Sequence, residues 1–242
     1  MANQFIQTQL QFHVAEATLL GDLTVPKNPK GIVLFAHGSG SSRHSSRNQH
    51  VANVLQNYGI ATLLFDLLTK KEEAIDQMTG QLRFDIPLLA NRLKFATDWI
   101  RNNEATKELK IGYFGASTGG GAALMAAAEL GNQISAVVSR GGRPDLAAPN
   151  LAKVTAATLL IVGGLDHHVI ELNRWALDQL HCEKKFEIVL AASHLFEEPG
   201  KLDEVARLAC EWFLKKMGGV PSSHPHHEPQ FRHPRESGDP VL

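Results

Sequence analysis

The chain has 242 residues, 43% of them hydrophobic and 20% charged, which is ample material for an α/β domain with a sizeable core. Its formal net charge of -1 gives no field that would recruit nucleic acid or an anionic membrane surface. No apolar run reaches the roughly 18 residues of a membrane span, and the N-terminus lacks a basic start followed by an apolar block, so a cytoplasmic protein without nucleic-acid or membrane partners is expected.

Residues 4–12 and 16–25 alternate loosely around a short polar break, as an antiparallel strand pair would. Residues 31–37 are a dense apolar run bounded by turn signals, the pattern of a strand covered on both faces. A polar loop over 38–47 and a helix through about Tyr58 follow, the helix carrying Val51, Val54, Leu55 and Tyr58 at helical spacing. Residues 60–68 read as a second buried strand and 69–83 as a charged loop. Asp85 then caps a long helix striped by Ile86, Leu89, Leu93, Ala96 and Ile100, with Pro87 tolerated in its first turn.

Residues 110–121, Lys-Ile-Gly-Tyr-Phe-Gly-Ala-Ser-Thr-Gly-Gly-Gly, form a strand, a tight turn and the start of an Ala-rich helix. Further strands are expected at 134–139, 157–162 and 186–190, and helices at 169–180 and 202–217. Residues 141–155 read as a loop with one helical turn. The repeated β-α rhythm predicts a doubly wound, mostly parallel sheet with an antiparallel N-terminal edge and no cap domain. One domain is expected over residues 1–217. Beyond it, residues 218–242 hold five of the eleven prolines and four of the twelve histidines without apolar periodicity, which predicts a disordered tail.

Gly115, Ser117 and Gly119 fit G-x-S-x-G, a turn that thrusts a serine hydroxyl out above a sheet. A serine needs a base, and the base a carboxylate to hold its tautomer. Ligands of such sheets bind past the carboxyl ends of the strands. In the chain order serine, acid, histidine, Asp166 follows the strand 157–162 and His194 follows the strand 186–190. His167 and His168 compete as bases, Asp145 and Glu171 as acids. The oxyanion donors expected are the backbone N–H of Thr118 and that of Ser39, with Gly38 second. His37 is expected to bond this loop. Four arginines, Arg43, Arg83, Arg140 and Arg143, also follow strand ends; together on one rim they would bind an anionic small-molecule substrate. The two cysteines, Cys182 and Cys210, lack metal-ligand spacing, and no metal or cofactor is called for. No Lys-Ser or Lys-Thr follows the glycines 119–121, which excludes a phosphate-cradling loop.

Taken together, residues 37–43 (His-Gly-Ser-Gly-Ser-Ser-Arg), 65–68 (Phe-Asp-Leu-Leu), 115–119, 139–145 (Ser-Arg-Gly-Gly-Arg-Pro-Asp), 161–166 (Ile-Val-Gly-Gly-Leu-Asp) and 193–198 (Ser-His-Leu-Phe-Glu-Glu) resemble α/β-hydrolases of the dienelactone-hydrolase-like type. The likeness runs from about Phe5 to Met217. In some relatives this domain is fused to a phosphoribosyltransferase, which is not expected here. The resemblance implies Ser117 as nucleophile, Asp166 as acid and His194 as base, acting on a small ester, thioester or lactone. Dienelactone hydrolases themselves use cysteine where this chain has Ser117, so their substrate is not implied. A small-peptide hydrolase and a catalytically silent binding protein are the alternatives, and a monomer or homodimer is expected.

Overall fold

The computed structural model describes residues 5–14 and 17–218. The tail beyond residue 218, with His224, His226, His227 and His233, lies outside the described residues, and so does the expectation that it is disordered. The strands are β1 (Phe5–Val14), β2 (Ala17–Pro26), β3 (Ile32–Ala36), β4 (Ala61–Phe65), β5 (Ile111–Ala116), β6 (Ile134–Arg140), β7 (Ala157–Gly163) and β8 (Lys184–Val189). The helices are α1 (Ser46–Asn57), α2 (Lys70–Thr79), α3 (Ile86–Asn102), α4 (Thr118–Leu130), α5 (His167–Gln179) and α6 (Lys201–Met217).

The strands form one sheet in the order β1-β2-β4-β3-β5-β6-β7-β8. β1 pairs antiparallel with β2 and β2 antiparallel with β4; every later pairing is parallel. β3, β4 and β5 are buried throughout because helices cover both faces, which is why they read as continuous apolar runs. Alternate residues feed two cores. Leu34, Leu63 and Tyr113 pack with Leu93 of α3 and Leu124 of α4 on one face. Phe35, Phe114 and Val138 pack with Leu55 of α1 and Phe213 of α6 on the other. This is the doubly wound arrangement with an antiparallel edge that the sequence predicts.

The expected charged loop over 69–83 is instead largely α2. Thr69 and Glu72 make a reciprocal capping box: the Glu72 N–H donates to Thr69 Oγ1 at 3.2 Å, and the Thr69 N–H donates to Glu72 Oε2 at 2.7 Å. Gly80, at φ 65, closes the helix. Only Asp76 of α2 is buried, so no apolar stripe announces it. Residues 141–155 contain a ten-residue stretch of 3-10 turns, Pro144–Lys153, in place of one helical turn. It packs on α4 and α5 and adds no cap over the sheet.

Candidate active site

At the end of β5 the chain turns through Ser117 with φ 51 and ψ -121 and enters α4 at once. A non-glycine residue in this region is strained, and such strain persists only where the surroundings enforce it. Here α4 is pressed onto the sheet so closely that a Cβ on Gly119 would stand 2.1 Å from the Ala36 carbonyl oxygen. Backbone bonds lock the turn: the Gly120 and Arg143 N–H groups both donate to the Ser117 oxygen, at 2.9 and 3.0 Å.

Asp166 ends the turn after β7 and His194 the turn after β8. The two turns are stitched together, the Gly164 N–H donating to Val189 O at 2.8 Å and the Leu165 N–H to Ala192 O at 2.9 Å. A Cβ on Gly163 would meet Ser193 O at 2.4 Å, which accounts for a glycine there. The result is a contact of 2.6 Å between His194 Nδ1 and Asp166 Oδ2. A carboxylate only accepts, so Nδ1 carries the proton and Nε2 is left free to take one. Ser117 and His194 line the same cavity, of about 190 Å³, without a hydrogen bond between their side chains. His167 and His168 lie in the first turn of α5, Glu171 lies within α5, and Asp145 is engaged by Arg143.

The loop after β3 lies against the elbow. A Cβ on Gly38 would meet Ala116 O and Ser117 Cβ, both at 3.1 Å, and Ser39 Oγ bonds Thr118 Oγ1 at 3.1 Å. Thr118 is the first residue of α4, so its N–H belongs to the positive end of that helix. His37 anchors the loop from beneath: its Nε2 accepts from the Leu67 N–H at 3.0 Å, which leaves Nδ1–H to donate to Gly38 O at 3.0 Å. Burial pushes the His37 pKa below its ordinary 6.5. Below pH 6.5 the unfolded chain therefore takes up a proton that the folded chain refuses. Acidification toward the depressed value should cost up to about 1.4 kcal/mol of stability per pH unit from this residue. Urea unfolding at about pH 7.5 and 5.5 checks this, and His37→Gln should flatten part of the slope.

A second, larger cleft of about 380 Å³ opens on the other side of this loop, walled by Ser39, Ser42, His44, Leu67, Gln77 and Thr118, among others. Sequence reasoning missed its α2 wall, although Thr69 and Glu72 signal that helix. It also missed Arg47 and Asn48, at the start of α1, which line the smaller cavity.

The four strand-end arginines are not brought together. Arg43 is held by Asp66 and by Asp22, the latter at 3.2 Å, and lines neither cavity. Arg83 pairs with Asp76 at 2.7 Å at the margin of the larger cleft. Arg143 grips both oxygens of Asp145, at 2.8 and 2.7 Å. Arg140 alone of the four lines the cavity of Ser117 and His194.

The model of the dienelactone hydrolase family matches residues 19–215. The chain belongs to that family. It is 59% identical to the dienelactone hydrolase from Anabaena variabilis, whose crystal structure superposes with a TM-score of 0.86 over 88% of this chain and 99% of that one. A serine hydrolase without a lid from Xanthomonas campestris, 18% identical, shares the fold with a TM-score of 0.71 over 89% of this chain and 97% of that one. Two Mycobacterium tuberculosis proteins provisionally named phosphoribosyl transferase are 53% identical over 211 residues. Those residues are 87% of this chain and 47% of each relative, so the chain spans about half the length of the curated proteins it matches. Among the described residues, no helix is long and apolar enough to cross a membrane.

Proposed function

We propose that the chain is a serine hydrolase that opens a small ester, thioester or lactone through an acyl-enzyme. Ser117 Oγ bonds to the carbonyl carbon while its proton passes to His194 Nε2. Asp166 holds Nδ1–H and stabilises the imidazolium that forms. The oxyanion takes hydrogen bonds from the backbone N–H of Thr118 and of Ser39, with Gly38 as the alternative second donor. Collapse breaks the bond to the leaving oxygen or sulfur, which receives the proton from His194. Water, activated by the same histidine, then adds to the acyl-enzyme and releases the acid.

The observation that carries this reading is the 2.6 Å contact that holds His194 by Nδ1 and leaves Nε2 without a carboxylate partner, in a residue lining the cavity of Ser117. The strained backbone at Ser117 adds to it, because strain of this kind gathers at reacting groups. The transferase name is not carried over, since it belongs to proteins of which this chain spans 47%. Turnover of 4-nitrophenyl acetate, an acetyl thioester and a small lactone tests the proposal. Hydrolysis above buffer is expected for at least one of them. A protein that binds such compounds without consuming any is the silent alternative, and that outcome removes the hydrolase mechanism.

A further inference from the structure

Arg140 is only 6% exposed, and among the described residues its guanidinium forms no hydrogen bond and no ion pair. It lies 5.8 Å from the centre of the Phe196 ring, a contact that offers no countercharge. Burial, with repulsion from Arg47 second, lowers its pKa from 12.5 to about 10, so it remains a cation at neutral pH. A desolvated, unpaired cation is a burden on the fold that an arriving anion relieves. One neighbour in the same cavity shares the deficit: Arg47 Nε is also a buried donor without a partner.

The sheet order says which part of a substrate would meet Arg140. Arg140 ends β6 in register with Ala116, and its carbonyl accepts the Ser117 N–H at 3.2 Å. It therefore stands between Ser117, after β5, and the turns after β7 and β8 that carry Asp166 and His194. The larger cleft lies toward β4 and α2 and is lined by the oxyanion residues, but by neither His194 nor Arg140. His194 must reach the departing atom to protonate it, so the leaving group belongs on the Arg140 side and the acyl chain in the larger cleft.

We infer that Arg140, with Arg47 beside it, binds a carboxylate carried by the leaving group, so that the substrate is an ester or thioester of a small hydroxy or mercapto acid. The inference rests on Ser117 as nucleophile and His194 as base. Charge selects carboxylate over a doubly charged phosphate, because Glu197 already answers Arg47 at 3.2 Å and a single negative charge balances Arg140. Size agrees, since a cavity of about 150 Å³ holds benzene and this one, at about 190 Å³, admits a ring-sized group with its carboxylate.

The test pairs isosteres that differ in charge. 3-Acetoxybenzoate should exceed 3-acetoxybenzamide in kcat/KM by about 30-fold. Arg140→Met should bring that ratio close to one, and Arg140→Lys should retain part of it. Calorimetry with 3-hydroxybenzoate and 3-hydroxybenzamide should show the same Arg140-dependent preference without any turnover. The melting temperature of Arg140→Met should equal or exceed that of the parent, because an unpaired charge is removed; a merely structural arginine would lower it and leave the ratio intact. Phenyl hemisuccinate against phenyl acetate places the anion on the acyl side, and its ratio should be insensitive to Arg140. The inference is overturned if the parent protein does not discriminate benzoate from benzamide, if the ratio survives Arg140→Met, if the hemisuccinate ratio is the one that collapses, or if phenyl phosphate binds more tightly through Arg140 than the carboxylate. Arg140-dependent binding of 3-hydroxybenzoate with no hydrolysis of any ester would instead sink the hydrolase mechanism and leave the anion site standing.

Discussion

Ser117→Ala is expected to lower kcat by about 10^4-fold or more on any substrate the chain turns over, a loss of at least about 5 kcal/mol of transition-state stabilisation. In the proposed mechanism that hydroxyl bonds the acyl carbon, and without it water must attack unaided. Binding should survive, because the cavity walls and the backbone donors of Thr118 and Ser39 do not depend on the hydroxyl. KM should therefore change little beside kcat. Steady-state kinetics with a folded variant, checked by circular dichroism, separates the two. A variant within tenfold of the parent would mean that Ser117 is not the nucleophile.

Asp166→Asn should cost about 10^3- to 10^4-fold in kcat while leaving the fold intact, by the tautomer argument established for serine hydrolases in general. Asp166 accepts from Nδ1–H of His194 at 2.6 Å, which in the neutral imidazole makes Nε2 the bare nitrogen. An asparagine offers an NH₂ to Nδ1, which favours the tautomer with the proton on Nε2, where it cannot receive one from Ser117. The Asp166 side chain is 16% exposed, so solvent only partly substitutes for the lost charge. His194→Ala should fall at least as far, because it removes the base itself. Adding both changes to Ser117→Ala should lower activity little further, since the proposed mechanism has the three act as one unit. A triple variant far less active than Ser117→Ala alone would contradict a shared mechanism.

The order and strand-end placement of Ser117, Asp166 and His194 were legible because a parallel sheet collects the carboxyl ends of its strands on one rim, so chain order and strand pattern suffice to bring distant residues together. The arginines show where that reasoning stops. Arg143 and Asp145 are two residues apart, and their pairing was open to inspection. Arg43 meets Asp66 and Asp22 only because β2 and β4 pair antiparallel, with Asp22 opposite Leu64, a tertiary fact that no local pattern carries. Nor does any pattern announce that Phe196, with φ 58, turns its ring toward Arg140. α2 was hidden for another reason: its single buried residue is the polar Asp76, so apolar periodicity had nothing to report and only the cap at Thr69 and Glu72 gave it away.

Covalent trapping tests the central claim most directly. Incubated with a fluorophosphonate and read by intact mass and peptide mapping, the chain should gain one adduct, on Ser117, that forms slowly or not at all in His194→Ala and is absent in Ser117→Ala. No adduct on the parent protein, or an adduct that persists when Ser117 is alanine, would contradict it.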